Sequence, residues 1–166
     1  MFYYAYSLIV KHSSYTRKDV WFNSHYAYHM KVLLLSCKNF NSKIKKLATR
    51  PETIEPEPIT QKEYKTDKSI VVLITVEEND NLVDCSEKLK NEILVFSKDT
   101  GIQKIVIFPF GHLSNKLASS QQTKNFMNIT QEKLQEFDVV RVHFGSHKSL
   151  LLDVYGHKGN VRFREF

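Results

Sequence analysis

Residues 69–76 read SIVVLITV, a run dominated by β-branched side chains, which are stiff at χ1 and pack well on a pleated surface, so a strand is expected there. Residues 31–36 (KVLLLS) form a continuous apolar run between polar neighbours. A strand with no polar face to give to water reads as buried within a sheet. These two runs demand a layered sheet, and the rest of the chain has to supply its cover.

That cover follows at once. Residues 79–81 offer Asn and Asp as helix caps, and Leu82, Cys85, Leu89, Ile93 and Phe96 then recur at helical spacing until Gly101. A third strand is expected at 105–108, stopped by Pro109. A second helix is expected over 119–137, with Phe126, Ile129, Leu134 and Phe137 on one face. Further strands are expected at 139–144, 150–155 and 161–163. Residues 39–68 are polar and basic, then rich in Pro and Glu. Pro51, Pro56 and Pro58 each remove a donor and restrain the preceding residue, so no packed helix runs there and a long connection or edge excursion is expected. The order from residue 69 predicts an α/β (α+β) sheet with helices on one face and antiparallel hairpins at its end. The 39–68 excursion and the tail leave room for a partly barrel-like sheet.

A chain of 166 residues accommodates one domain with a real core. Residues 1–29 show no clean period and are read as an N-terminal extension of uncertain status, with the domain occupying 30–166. Their apolar start is shorter than the roughly 20 residues a membrane span needs. It also lacks the charged flank and cleavage site of a secretory signal. No membrane association is expected, and two cysteines with no paired spacing fit a reducing, cytoplasmic setting. The net charge of +6 favours anionic partners without identifying one.

Two blocks concentrate polar chemistry at strand ends. In FPFGHLSNKLAS, a strand ending at Pro109 delivers Gly111, His112 and Ser114 to the carboxyl edge of a sheet, where sites form in α/β proteins. Gly111 admits close approach to the backbone, and His112 can orient a substrate or relay a proton. Taken alone, the block also reads as a strand-to-helix turn capped by Ser114. In HFGSHKS, Gly145 opens the backbone again. Lys148, beside an apolar strand, can carry a lowered pKa or hold a carbonyl or phosphate oxygen; a solvated lysine is the ordinary alternative. His112, His143, His147 and His157 lack the companion ligands and spacing of a metal site, and no metal or cofactor is expected. No nucleophile elbow or phosphate-binding glycine pattern appears. What remains is a pocket of backbone amides, His and Lys suited to polarising a carbonyl and positioning a water.

In order and spacing, MKVLLLS, EPEPI, VLITVE, FPFGHLSNKLAS and FGSHKSLLLDVYGHKG resemble the N-terminal editing domain of archaeal threonyl-tRNA synthetase, over about 30–166. The resemblance implies a D-aminoacyl-tRNA deacylase-like fold and hydrolysis of the ester in mischarged seryl-tRNA(Thr), with water attacking and the terminal 2′-hydroxyl assisting. The physical need is plain. A pocket built for threonine rejects the smaller serine by only the value of a methyl group, roughly 1–3 kcal/mol, so a second sieve must remove the error. By position, Val76 and Glu77 end the strand that lines the pocket. Pro109, Phe110, Gly111 and His112 form the turn facing the aminoacyl-adenosine, with Ser114 just beyond. Phe144, Gly145, Ser146, His147 and Lys148 form the opposite wall. The resemblance casts Lys148 in the hydrolytic step and His112 in positioning substrate and water.

Partners implied are the acceptor end of tRNA(Thr), a separate threonyl-tRNA synthetase chain, and a second copy in a homodimer. Without the aminoacylation and anticodon-binding regions, these residues are not expected to charge tRNA; the chain reads as a free-standing editor acting in trans, a split remnant or a truncated piece, and the sequence does not choose among them. Three departures from the family's pattern bear on activity: His147 where tyrosine is usual, Val161 where a glutamate is common, and Lys38–Asn39 in place of a more acidic stretch. Two other readings stay open. One is a D-aminoacyl-tRNA deacylase, and the other a non-catalytic tRNA-binding or synthetase-docking module.

Overall fold

One strand organises the sheet. Strand β1 (Lys31–Leu47) has 17 residues and meets four partners, two along each half. The computed structural model describes residues 30–166, so the extension read at 1–29 lies outside the described residues. The first half of β1 pairs antiparallel with β3 (Ser69–Thr75) on one side and β7 (Val161–Glu165) on the other. Its second half pairs antiparallel with β2 (Glu63–Thr66) and β6 (Ser146–Val154). Beyond β3 the sheet continues parallel through β4 (Lys104–Pro109) to β5 (Asp138–Arg141).

Bulges interrupt the β1–β6 ladder at Cys37/Asn39 and at Ile44/Lys46. An extra residue in one strand bends it and raises its twist. The second half of β1 therefore curls with β6 over the central strands, as expected for a nearly barrel-shaped sheet. Phe40, Ile44, Leu152 and Val154 close on Leu35, Val71, Leu73, Val106 and Phe108 to make an inner core. The opposite face carries both helices, α1 (Leu82–Thr100) and α2 (Ser120–Lys133). There Leu89, Ile93, Phe96 and Phe126 pack on Leu34, Ile74 and Ile105. With a core on each side, every residue of β3 is buried, which is what an all-apolar run requires.

The helix ends follow their local chemistry. The Asn81 side chain accepts from the Asp84 N–H, and Gly101, left-handed at φ 66°, donates its N–H to the Ser97 carbonyl. Helix α2 opens on a capping box of Ser119 and Gln122, so Ser119 and not Ser114 caps it. It stops at Lys133, earlier than its apolar spacing predicts, because Leu134 and Phe137 reach the core from a turn instead.

Two expectations are corrected. Residues 39–47 are strand rather than connection, since Phe40, Ser42 and Ile44 alternate inward against outward Asn41, Lys43 and Lys45. Within that segment, only 48–62 and the short turn at 67–68 remain without helix or a ladder. The last two strands form no hairpin with each other: β6 and β7 each pair with β1. The turn between them is fastened to β1 at Ser36, whose N–H donates to Asn160 O at 2.9 Å and whose carbonyl accepts from Tyr155 N at 3.0 Å.

Candidate active site

The carboxyl ends of β3, β4 and β5 lie side by side, and each releases a loop carrying polar groups. After β3, Val76 and Glu77 separate. Val76 belongs to the helix-side core, while the buried Glu77 carboxylate pairs with the Lys31 ammonium. The Glu77 N–H donates to Asp80 Oδ2 at 2.7 Å, so this corner is rigidly held.

After β4, Pro109 leads to Phe110, whose N–H donates to Ile74 O at 2.8 Å and whose carbonyl accepts from the Thr75 hydroxyl. A single turn of 3-10 helix, Gly111–Leu113, then presents Gly111 and His112 to solvent. An aromatic row connects this turn to the inner core. Phe40 meets Phe108 edge-on at 6.2 Å, Phe108 meets Phe110 at 6.4 Å, and Phe110 meets His112 at 5.1 Å. Ser114 accepts from Lys116 N at 3.1 Å and shapes the turn.

After β5, the chain leaves the sheet at Val142. His143 is buried, with Nε2 2.8 Å from Glu57 O and Nδ1 2.9 Å from Ser146 Oγ. A carbonyl can only accept, so Nε2–H donates to Glu57 O, while Nδ1 shares a hydrogen bond with the Ser146 hydroxyl. Glu57 sits in the Pro/Glu segment, which crosses the loop like a strap. Its Oε1 pairs with Arg141, its Oε2 accepts from Phe144 N at 3.0 Å, and its own N–H donates to Phe144 O at 3.3 Å. Gly145, at φ 79°, lies so near the strap that a Cβ there would stand 2.6 Å from Pro56 Cα. The strap is also tied to α2, through Glu55 N to Ser120 Oγ at 3.1 Å and a Glu55–Lys124 ion pair.

Lys148 stands opposite Ile44 on β6 and turns inward. Its Nζ donates to His143 O at 2.8 Å and Ser146 O at 3.2 Å, and lies 5.3 Å from the Phe108 ring centroid. Burial pushes the ammonium down to about 8, opposed by the Glu57 carboxylate. Lys148 is therefore charged at neutral pH yet able to give up a proton close to it, the range useful for moving charge in a transition state.

The two sequence blocks thus meet through Phe108: Lys148 caps its ring, and Phe110 and His112 extend from its edge. His147 does not join them. Neighbouring residues of a strand point to opposite faces, and His147 is exposed on the outer side of β6 opposite Lys46. Phe144 contributes its backbone to the strap contact, and Ser146 links His143 to Lys148. Sequence reasoning missed Glu57, Arg141, Thr75 and the structural role of His143. The one available signal for Glu57 was its place between Pro56 and Pro58, which fixes an extended backbone but names no partner.

Cys37 and Cys85 are buried, and burial raises both thiols to about 11, so they stay protonated at neutral pH. Among the described residues, no three His, Cys, Asp or Glu side chains gather as a metal site. A depression of about 470 Å³ lined by Asn128, Gln131, Glu132, Gln135 and Val139 opens at the other end of β5, away from these groups.

Residues 30–165 match the archaea-specific editing domain of threonyl-tRNA synthetase. The chain is similar to the threonine–tRNA ligase of Staphylothermus marinus, at 33% identity over 132 residues, covering 77% of this chain and 21% of that protein. The corresponding ligase of Hyperthermus butylicus is 31% identical over 135 residues, with the same coverage. The chain thus spans about a fifth of the length of these curated relatives. Among solved structures it is similar to a c-Myc DNA unwinding element binding protein (TM-score 0.60, 13% identity, 82% of this chain and 98% of that one). It is also similar to a probable eukaryotic D-amino acid tRNA deacylase (TM-score 0.53, 10% identity, 83% and 98%). At such identities the likeness is one of fold.

Proposed function

The chain belongs to the family of archaea-specific editing domains of threonyl-tRNA synthetase, and from that membership we propose that it is an aminoacyl-tRNA deacylase that removes serine from mischarged seryl-tRNA(Thr) in trans. The observation that carries the reading is the ammonium of Lys148, fixed by two carbonyls over the aromatic row that leads to His112. Water attacks the ester carbonyl carbon, the bond to the ribose oxygen breaks, and that oxygen leaves with a proton. Lys148 stabilises the negative charge that develops on the carbonyl oxygen. His112 and the exposed Gly111 backbone orient the aminoacyl end, and the terminal 2′-hydroxyl steers the water. No covalent intermediate is needed, in keeping with two buried, protonated thiols.

The partner is the acceptor end of tRNA(Thr), with the synthetase that made the error as a separate chain in the cytoplasm. Lys43, Lys45, Lys46 and Arg50 are exposed where β1 ends, one strand away from Lys148, and would meet phosphates there. The decisive assay follows seryl-tRNA(Thr) with and without the protein. Serine is expected to be released about 100-fold faster than in buffer or better. D-aminoacyl esters on the same tRNA are expected to decay at the buffer rate. Preferential loss of the D-esters would make this a D-aminoacyl-tRNA deacylase. Salt-sensitive tRNA binding without turnover would make it a docking module.

The proposed assembly is a homodimer. Val161 and Phe163 are 55% and 49% exposed on β7, beside half-buried Leu33, and among the described residues β7 pairs only with β1. An apolar strand edge of this kind calls for a partner. Sedimentation velocity should give a dimer that Phe163→Glu dissociates. A wild-type monomer at every concentration would refute it.

A further inference from the structure

Glu57 commits every polar group it has to the last residue of β5 and the loop that follows it. Its carboxylate takes the Arg141 guanidinium and the Phe144 N–H, its carbonyl takes His143 Nε2, and its N–H reaches Phe144 O. The same loop supplies both carbonyls, His143 O and Ser146 O, that hold the Lys148 ammonium. Flanking prolines at 56 and 58 restrict the strap before it binds, so less conformational freedom is lost in holding this geometry. Pro56 also seals against Gly145, at the centre of the loop.

Resting on the deacylase reading above, we propose that Glu57 is a positioning residue for that reaction: it clamps residues 141–146 so that their carbonyls aim the Lys148 ammonium at the substrate ester. It acts in a second way through charge. Glu57 is the anion whose field opposes the desolvation of Lys148. The other charged or titratable groups around this cluster are Arg141 from β5, His143 in the loop and Tyr64 from β2, whose hydroxyl faces the His143 backbone. Arg141 is neutralised by Glu57 itself, so removing the carboxylate also leaves that guanidinium without its ion-pair partner. Losing the field of the carboxylate lets desolvation push the Lys148 proton off at lower pH.

The test is Glu57→Gln in the full chain. It is expected to lower kcat about tenfold with KM for seryl-tRNA(Thr) nearly unchanged, since positioning and not binding is lost. The alkaline limb of its pH–rate profile should move to lower pH. The Lys148 side chain, followed by 13C NMR at Cε, should titrate at lower pH by the same amount. A residue that only supports the fold would reduce the folded fraction without moving either midpoint. Should Glu57→Gln not fold, Glu57→Asp keeps the charge on a shorter reach. It is expected to leave the Lys148 midpoint in place while kcat falls. An unchanged kcat in either variant, or an unmoved Lys148 midpoint in folded Glu57→Gln, overturns the proposal. If the wild-type protein does not deacylate at all, the functional reading fails, and the NMR titration still decides whether Glu57 controls Lys148.

Discussion

Replacing Lys148 by methionine is expected to slow deacylation of seryl-tRNA(Thr) by about 100- to 1,000-fold, the usual cost of losing one preorganised group aimed at a developing oxyanion. Methionine keeps an unbranched apolar side chain of similar length and removes only the ammonium that lies over Phe108, so the inner core survives and the loss is chemical. Binding of uncharged tRNA should change little, because one buried cation is a small part of a phosphate contact surface. The same substitution has a signature in stability. The Lys148 pKa falls from 10.5 to about 8 on folding, so the folded state disfavours the ammonium. Below pH 8 both states hold the proton and the full desolvation cost is present. Between about 8 and 10.5 the unfolded chain keeps a proton that the folded chain has released, so stability rises with pH in that window. Wild type should therefore gain on the order of 3 kcal/mol relative to Lys148→Met across the window, read from urea melts at its two ends. A constant difference between the two proteins would show that Lys148 is not desolvated, and undiminished turnover would remove it from the reaction.

How much of this was legible depends on where the signal sits. The apolar runs at 31–36 and 69–76 and the helical spacing from Leu82 to Phe96 expose one half of the sheet and its cover. The second half of β1 hides in a polar stretch, because its inner face needs only Phe40, Ser42 and Ile44 while its outer face is open to water. That omission cost the topology: with β1 ending early, β6 and β7 had no partner but each other. It also blurred the site. A strand read as starting at Leu150 leaves His147 and Lys148 together in a turn, both free to face a pocket. The strand begins at Ser146, and alternation then sends Lys148 inward and His147 outward. Lys148 itself was readable as a lysine beside an apolar strand. Glu57 was not, for its partners Arg141, His143 and Phe144 lie more than 80 residues along the chain, and no periodicity links a Pro/Glu segment to a loop so distant.

Substituting alanine for Gly145 is expected to destabilise the protein by about 2–4 kcal/mol, well beyond the 1 kcal/mol or so of an ordinary glycine replacement. Two costs combine. A left-handed φ of 79° strains any L side chain, and the new Cβ would lie 2.6 Å from Pro56 Cα and 2.9 Å from Pro56 Cβ. Pro56 Cα is backbone and cannot rotate aside, so the strap itself must withdraw. Withdrawal pulls Glu57 from Arg141 and Phe144 N and frees the loop whose carbonyls hold Lys148. Turnover should therefore fall with stability, even where the protein remains folded. Gly101→Ala separates the two costs. Gly101 is also left-handed, at φ 66°, but an added Cβ meets nothing within 4 Å. That variant should lose only the conformational share, about 1 kcal/mol, and keep full activity. Urea melts and deacylation rates of both variants under native conditions make the comparison. Equal losses in the two would mean that contact between Pro56 and Gly145 contributes nothing, and that the strap is not what holds the lysine in place.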